Sequence, residues 1–243
     1  MPPAHAAEAI VLRTFRTGEA DRVVHLLTPD RGRVNAIAKG ARRTTAKLGA
    51  RLEPCTRIEA MLQPGKGDLA TITGAHVLWS GDDLRRDPVR VAAAMAGLEA
   101  VIRLFPEPEP DERLFRGLQR YLEQLAEPLG ADAAAAAEGI TLAFALKLLA
   151  LAGWRPDVAA CAACGGPVAV FDAAAGCAYC SGCGSGIPLD PAAAAAVERL
   201  LAAPLAPPDL DEAHRADVAR VCRAIAQEHG GVRLTLLGRG VRA

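Results

Sequence analysis

The chain has 243 residues, 51% of them hydrophobic and 23% charged, which suits a soluble globular protein with a real core and excludes a disordered or collagen-like chain. The formal net charge of zero conceals an asymmetry: residues 1–66 hold 12 Lys/Arg against 6 Asp/Glu, and the remainder holds 16 against 22. Such a split predicts a polyanion-facing N-terminal part on an acidic body.

Five stretches, residues 8–14, 23–28, 33–38, 56–62 and 70–78, are rich in β-branched and aliphatic side chains and read as strands. Pro29-Asp30-Arg31-Gly32 joins the second to the third. Proline presets one turn dihedral and glycine accepts a positive φ, so a tight hairpin is predicted. Gln63-Pro64-Gly65-Lys66-Gly67-Asp68 predicts another for the same reason. Five short strands fit a small closed barrel of either the OB or the SH3-like kind.

Arg31, Arg33, Lys39, Arg42, Arg43, Lys47 and Arg51 fall within 21 residues, with Arg13, Arg16 and Arg22 nearby. From Lys39 to Arg51 the sequence KGARRTTAKLGAR holds five cations and no carboxylate. It reads as a mobile loop leaving a strand and suited to tracking phosphates, with binding that weakens as salt rises. Arg22, Arg31, Arg33, Lys39, Arg42, Arg43 and Lys47 are the candidate phosphate contacts. Phe15 is the only aromatic residue before Trp79, so stacking platforms are scarce and phosphate-dominated binding is expected.

From about residue 87 the pattern turns helical. Residues 91–104 carry apolar side chains at helical spacing, and Pro106, Pro108 and Pro110 then break the pattern in an acidic loop. Residues 111–126 resume it, with Leu114, Leu118, Leu122 and Leu125 on one face. Alanine-rich residues 133–137 lead into a buried helix over 140–152, closed by Gly153 with Pro156 beyond. The longest apolar run there, residues 142–151, is interrupted by Lys147 and is too short to span a bilayer. Residues 1–7 show no export signal, so a cytoplasmic protein with no membrane role is expected.

Five of the seven cysteines lie between Cys161 and Cys183, which suits a reducing cytosol and metal binding better than disulfides. Cys161-Ala-Ala-Cys164 and Cys180-Ser-Gly-Cys183 are separated by 15 residues, the spacing of four-cysteine zinc sites. Two residues between cysteines let both thiolates grip one ion from a single turn, and two such turns complete a tetrahedron. Gly165-Gly166 and Gly184 follow the pairs where the backbone must fold back. Cys177-x₂-Cys180 is also a legal pair; Cys180 with Cys183 is preferred because Gly184 repeats the Cys164-Gly165 pattern. Four thiolates leave no open position, so one structural Zn²⁺ and no catalysis is expected.

Beyond the cysteines, Asp190-Pro191 starts a helix and a last helix covers about 210–228, closed by Gly230-Gly231. The five histidines are scattered, and neither a Walker lysine motif nor a G-x-S-x-G elbow is present. Asp82-Asp83 and Asp209, Asp211 and Glu212 are read as helix-dipole partners. No active site is visible, and an enzyme is not expected.

Taken together, the segments resemble the RecO family of bacterial DNA-repair proteins over essentially the whole chain. AIVLRTFRTGEADRVVHLLTPDRGRVNAIAKGARR resembles that family's opening strands and basic hairpin. PEPEPDERLFRGLQRYLEQLA resembles its acidic loop and following helix, and the run from the apolar helix into CAACGG its approach to the zinc module. In FDAAAGCAYCSGC, Cys180 and Cys183 match the family's ligand pair and Cys177 takes a glycine's place, which agrees with the spacing.

The resemblance implies an α+β multidomain protein. Its parts would be an N-terminal OB-fold β-barrel over 1–82 and an all-α domain over 83–243, with a four-cysteine zinc module inserted at about 158–187 and held by Cys161, Cys164, Cys180 and Cys183. It further implies binding of single-stranded DNA, with double-stranded DNA as a further candidate, annealing of complementary strands, and loading of RecA with the partner RecR. The acidic tail of single-strand-binding protein (SSB) would be contacted by Arg116, Arg120 or Arg155. The alternatives are an RNA-binding zinc protein or adaptor in translation, or a zinc-dependent enzyme. Some members lack the zinc cysteines, so zinc is not essential to the family's activity.

Overall fold

The computed structural model describes residues 3–42, 47–65, 67, 69–206 and 209–238, with Lys47 described by its backbone alone. Two compact units emerge: the first comprises Met1–Asp83 and Pro106–Leu122, the second Leu84–Phe105 and Glu123–Ala243. The division is therefore not a single cut in the chain, since an internal segment joins the N-terminal unit.

The first unit is built on β1 (His5–Thr17), β2 (Asp21–Thr28), β3 (Gly32–Ala38), a short helix α1 (Lys47–Arg51), β4 (Arg57–Gln63) and β5 (Leu69–Trp79). The strands close into a barrel in the order β1-β2-β3-β5-β4, with β4 returning to pair with β1. The β3–β5 pairing is parallel while the others are antiparallel. This crossover resolves the choice that five strands alone left open, in favour of an OB-like barrel. Its interior is filled by small and branched aliphatics, among them Ala7, Ala9, Val11, Leu26, Ala36, Ala60 and Ile72. A narrow interior of this kind needs no aromatic residue, which fits the composition.

β1 serves two partners because its register with β2 shifts between Val11 and Arg13. Ala7, Ala9 and Val11 point into the core before that bulge. Beyond it the alternation is reversed, so Arg13 and Phe15 are exposed. The stretch expected as a mobile loop is in part the helix α1, because Leu52 is fully buried in the barrel core and Leu48 packs against it. Arg51 Nη1 donates to the Ala75 carbonyl at 2.7 Å, a second anchor.

The β2–β3 hairpin forms as predicted. Thr28 Oγ1 accepts from the Arg31 N–H and donates to the Gly32 carbonyl, each at 3.1 Å, and Gly32 adopts φ +61°. In the same unit, α4 (Glu112–Ala126) begins after the proline loop, and Leu114, Phe115, Leu118 and Tyr121 on it are buried. Between the barrel and that loop lie a one-turn helix α2 (Asp82–Arg85) and α3 (Pro88–Leu104), the latter capped by Asp87, which accepts from the Val89 N–H.

The second unit packs α3, α5 (Ala133–Leu151), α6 (Pro191–Ala202) and α7 (Glu212–Gly230). Asp132, Asp190 and Asp211 cap the last three through their side chains. The alanines from 133 onward join the apolar run, so α5 has 19 residues, longer than the run itself, and is apolar enough to cross a membrane by length and composition. Because 67% of it is buried in the fold, it is a core helix. Its Lys147 donates to the Leu201 carbonyl at 2.8 Å, placing the cation at the C-terminal end of α6, where the helix dipole favours it.

Gly32 is required twice over, by its positive φ and because an added Cβ would lie 2.1 Å from the Glu109 carbonyl oxygen. Gly32→Ala should cost about 3 kcal/mol, the sum of left-handed strain and overpacking. Gly18→Ala, with φ +53° and nothing within 4 Å, should cost only about 1 kcal/mol. Urea denaturation of both variants checks this; equal losses would mean that residue 109 does not seat on the hairpin.

Candidate nucleic-acid interface and metal centre

The reversed alternation in β1 builds a face. Arg13 pairs in register with His25, Phe15 with Val23, His25 with Asn35 and Leu27 with Arg33. Val24 and Leu26 point into the core, so His25 points outward. The Arg13 guanidinium lies 4.3 Å from the Phe15 ring centre, and the Phe15 and His25 rings meet edge-on at 5.1 Å. Phe15 is 36% exposed. Burial first, then the charges of Arg33 and Arg13, hold His25 below its ordinary value. Two arginines and a histidine thus line one stripe across β1, β2 and β3.

The predicted phosphate contacts are distributed along β3. Arg31 is exposed in the turn before it, 3.7 Å from Asp30. Arg33 is half-buried and donates through Nη1 to the Pro106 carbonyl at 3.1 Å; burial lowers its pKa and the Glu107 carboxylate opposes that. At the other end Lys39 is exposed, and Arg42 donates through Nη1 to the Glu19 carbonyl at 3.2 Å. The Gly40 N–H donates to Asp21 at 2.7 Å, docking this turn on the β1–β2 connection. Seven strand residues span about 23 Å, so the cations mark out a track.

Arg22 lies on the inward register of β2, where it donates to the Gly49 carbonyl at 3.2 Å and pairs with Glu53 at 2.7 Å. Its geometry ties α1 and the following turn to the barrel. Arg43 and the side chain of Lys47 lie outside the described residues. Sequence reasoning passed over Arg13, Phe15 and His25 as site residues. Strict alternation from Ala7 and Ala9 would turn Arg13 and Phe15 inward, and only the bulge reverses that.

Of the candidate tail contacts, Arg116 pairs with Glu112 and Arg155 with Glu198, each at 3.4 Å, while Arg120 is exposed. Arg116 and Arg120 belong to the first unit and Arg155 to the second.

In the second unit a small sheet of β6 (Val170–Asp172), β7 (Cys177–Tyr179) and β8 (Ile187–Pro188) carries the cysteine turns. The structure brings Cys161, Cys164, Cys180 and Cys183 together, with all four sulfurs within 4.8 Å of one another, and Cys177 is not among them. Cys177 sits on β7 opposite Asp172 and touches the Tyr179 hydroxyl instead. Cys161 is buried, while Cys164 and Cys183 are exposed. The first turn closes through the Gly165 N–H to the Cys161 carbonyl at 2.8 Å, and the second through the Cys183 N–H to the Cys180 carbonyl at 3.2 Å. Gly165 needs its positive φ of +73°. Gly184 is needed for a different reason, because an added Cβ would lie 2.5 Å from the Tyr179 ring.

The donor set could hold a cation. The Cys180 backbone N–H leads the causes that lower Cys161 to about 6. The crowded sulfurs, Cys180 first, push Cys183 up to about 12. Four thiols this close cannot all ionise against one another, and a metal ion removes that conflict. Cys164 Sγ and Cys180 Sγ are 3.8 Å apart. That matches the edge of a tetrahedron with metal–sulfur bonds of about 2.3 Å.

Barrel closure with a β3–β5 crossover, a cationic outer face and a four-cysteine cluster on a helical unit define an OB-like barrel protein with an appended cysteine module that could hold a metal ion. The family model described as Recombination protein O N terminal matches residues 1–80, and that described as Recombination protein O C terminal matches residues 85–237. The chain belongs to the RecO family of DNA-repair proteins. It is 37% identical over 242 residues to the DNA repair protein RecO of Anaeromyxobacter sp. (strain K), covering 93% of this chain and 91% of that one. It is 37% identical over 237 residues to that of Rubrobacter xylanophilus, covering 93% and 92%. The RecO of Bifidobacterium animalis subsp. lactis is 38% identical over 175 residues, 71% of each chain.

His25 supplies a pH signature. Its folded value lies below the unfolded value of about 6.5, so the folded barrel prefers the neutral ring. That contribution is complete above about pH 6.5 and is lost as pH falls through it towards the lower folded value. Between about pH 7.5 and 5.5 the melting temperature should fall more for the unmodified chain than for His25→Gln. Equal falls would show that the fold does not favour the neutral His25 ring.

Proposed function

We propose that this protein binds single-stranded DNA along the outer face of β1–β3, anneals complementary strands and, with RecR, helps load RecA onto SSB-coated DNA in the cytoplasm. The observation that carries this reading is the stripe Arg13–His25–Arg33 beside the exposed Phe15, on a barrel of a DNA-repair family. Arg13, Arg31, Arg33, Lys39, Arg42, Arg43 and Lys47 neutralise phosphates, and each contact releases counterions. Phe15 offers a face on which one base stacks, held in orientation by the Arg13 guanidinium. Arg22 keeps α1 in place beneath the track.

Annealing needs no covalent step. Cations that screen the phosphates of two strands lower their repulsion, and base pairing supplies the rest. The protein is accordingly read as a mediator and not an enzyme. The Glu107 carboxylate beside Arg33 competes with phosphate at one end of the track, which keeps binding exchangeable. Arg116 or Arg120 on the first unit, or alternatively Arg155 on the second, remains the proposed contact for the acidic SSB tail.

Cys161, Cys164, Cys180 and Cys183 would hold one zinc ion, whose bound form closes the two turns and supplies no reactive position. Elemental analysis should find one zinc per chain, and cobalt substitution should give a four-sulfur tetrahedral spectrum. Chelation or Cys161→Ser should lower the melting temperature; an unchanged melt in both would remove the metal from the fold.

Annealing of a fluorescent and a quenching oligonucleotide should accelerate with protein and fade with salt. The pair Arg13→Ala and Arg33→Gln should reduce the salt slope of binding by about two units. Phe15→Ala should cost about 1–2 kcal/mol with the slope unchanged. Binding without acceleration, or a preference for RNA of equal length, would replace this reading with an RNA-binding module.

A further inference from the structure

The second unit carries a cationic groove that neither the barrel nor the cysteine module explains. Arg220, Arg223 and Gln227 stand at i, i+3 and i+7 on one face of α7, and Arg233 faces them from the segment that follows. With Thr235 and the backbone of that segment they enclose about 560 Å³.

The wall opposite α7 is held in place from two sides. Arg223 Nη1 donates to the Leu237 carbonyl at 2.9 Å. On α3, Glu99 accepts from Thr235 Oγ1 at 2.6 Å and from the Leu236 N–H at 2.7 Å. Leu234 and Leu237 are each 2% exposed, so their side chains anchor the segment and leave polar groups at the groove. Arg233 is therefore presented by a fixed backbone.

The groove has unspent donors. Arg220 lines the groove with 41% of its side chain exposed, and Asp217 is its ion-pair partner. One hydrogen bond to Leu237 uses part of the Arg223 fork, and Gln227 is exposed. Among the described residues no carboxylate lines the groove. The sequence after it adds Arg239 and Arg242 with no further acid; both lie outside the described residues and form no part of the site.

We infer that this groove binds the phosphodiester backbone of a second nucleic-acid strand. Arginine forks match phosphate oxygens, and an amide and a hydroxyl add neutral donors. From Arg220 to Gln227 the helix rises about 10 Å, against one phosphate charge per about 3.4 Å of each strand in a duplex. More than one phosphate can thus be met at once. An acidic peptide is the other occupant that these cations could take, and the test below separates it from a phosphodiester strand. The inference rests on the strand-annealing reading, since it provides the place for the strand that the barrel does not hold.

The test is a titration of the full chain with a fluorescent oligothymidine of about ten nucleotides, a length within one barrel's site size, at protein concentrations well above Kd. Two oligonucleotides should bind per chain. Arg220→Gln with Arg233→Gln should bind one, with unchanged melting temperature and about two units lost from the salt slope. Arg13→Ala with Arg31→Ala should weaken the barrel's oligonucleotide and leave the groove's unaffected, and all four changes together should weaken both. If the paired groove variant folds poorly, Arg233→Gln alone should remove about one unit of slope. A stoichiometry of one for the unmodified chain, or an isotherm that the groove changes do not alter, would overturn the inference. So would a glutamate-rich peptide that binds the barrel variant as tightly as the oligonucleotide does. Failure of the barrel changes alone to reduce binding would instead sink the barrel site and leave the groove standing.

Discussion

The bulge between Val11 and Arg13 is the constraint from which the N-terminal unit follows. A single strand must pair with β4 over its first half and with β2 over its second, and the barrel closes only if it bends between them. The extra residue that permits the bend also reverses which side chains face the core. Ala7, Ala9 and Val11 therefore fill the interior, while Arg13 and Phe15 emerge on the outside beside His25 and Arg33. Closure and the cationic face have one cause.

The small interior has a parallel consequence. Alanine at positions such as 7, 9, 36, 38 and 60 lets the strands approach closely, so the core is complete without a large ring. The chain's one N-terminal aromatic is thereby left for the surface, where Arg13 covers one side of it. Arg22 and Arg51, which looked like part of the cationic set, have internal work. They bind backbone carbonyls and Glu53, and hold α1 and Leu52 against the open end of the barrel.

In the helical unit the organising contacts are polar ends rather than polar faces. Asp132, Asp190 and Asp211 satisfy helix N-termini, Lys147 satisfies a C-terminus, and Glu99 with Arg223 fixes the segment after α7. The cysteine module adds its sulfurs to a few buried side chains, among them Phe171 and Ala178. Two tight turns and a small sheet bring four sulfurs within 4.8 Å of one another, and a metal ion would do there what side-chain packing does elsewhere.

The five strands, the Pro29–Gly32 hairpin, the caps at Asp190 and Gly231 and the paired cysteines were all legible in the sequence. Each rests on local chemistry: β-branched runs, a glycine at positive φ, a side-chain cap, a fixed ligand spacing. The RecO resemblance was legible because those pieces occur in order. What tertiary structure alone decided has non-local causes. The parallel β3–β5 pairing separated an OB-like barrel from its rival, because strand order depends on which edges meet and not on any strand's own sequence. The alanines that extend α5, the exclusion of Cys177 from the sulfur cluster and the inward commitment of Arg22 likewise depend on neighbours far along the chain. Charge counting found the basic segment, but sequence alternation cannot register a bulge. Arg13, Phe15 and His25 therefore became a site only once β1 was bent around the barrel.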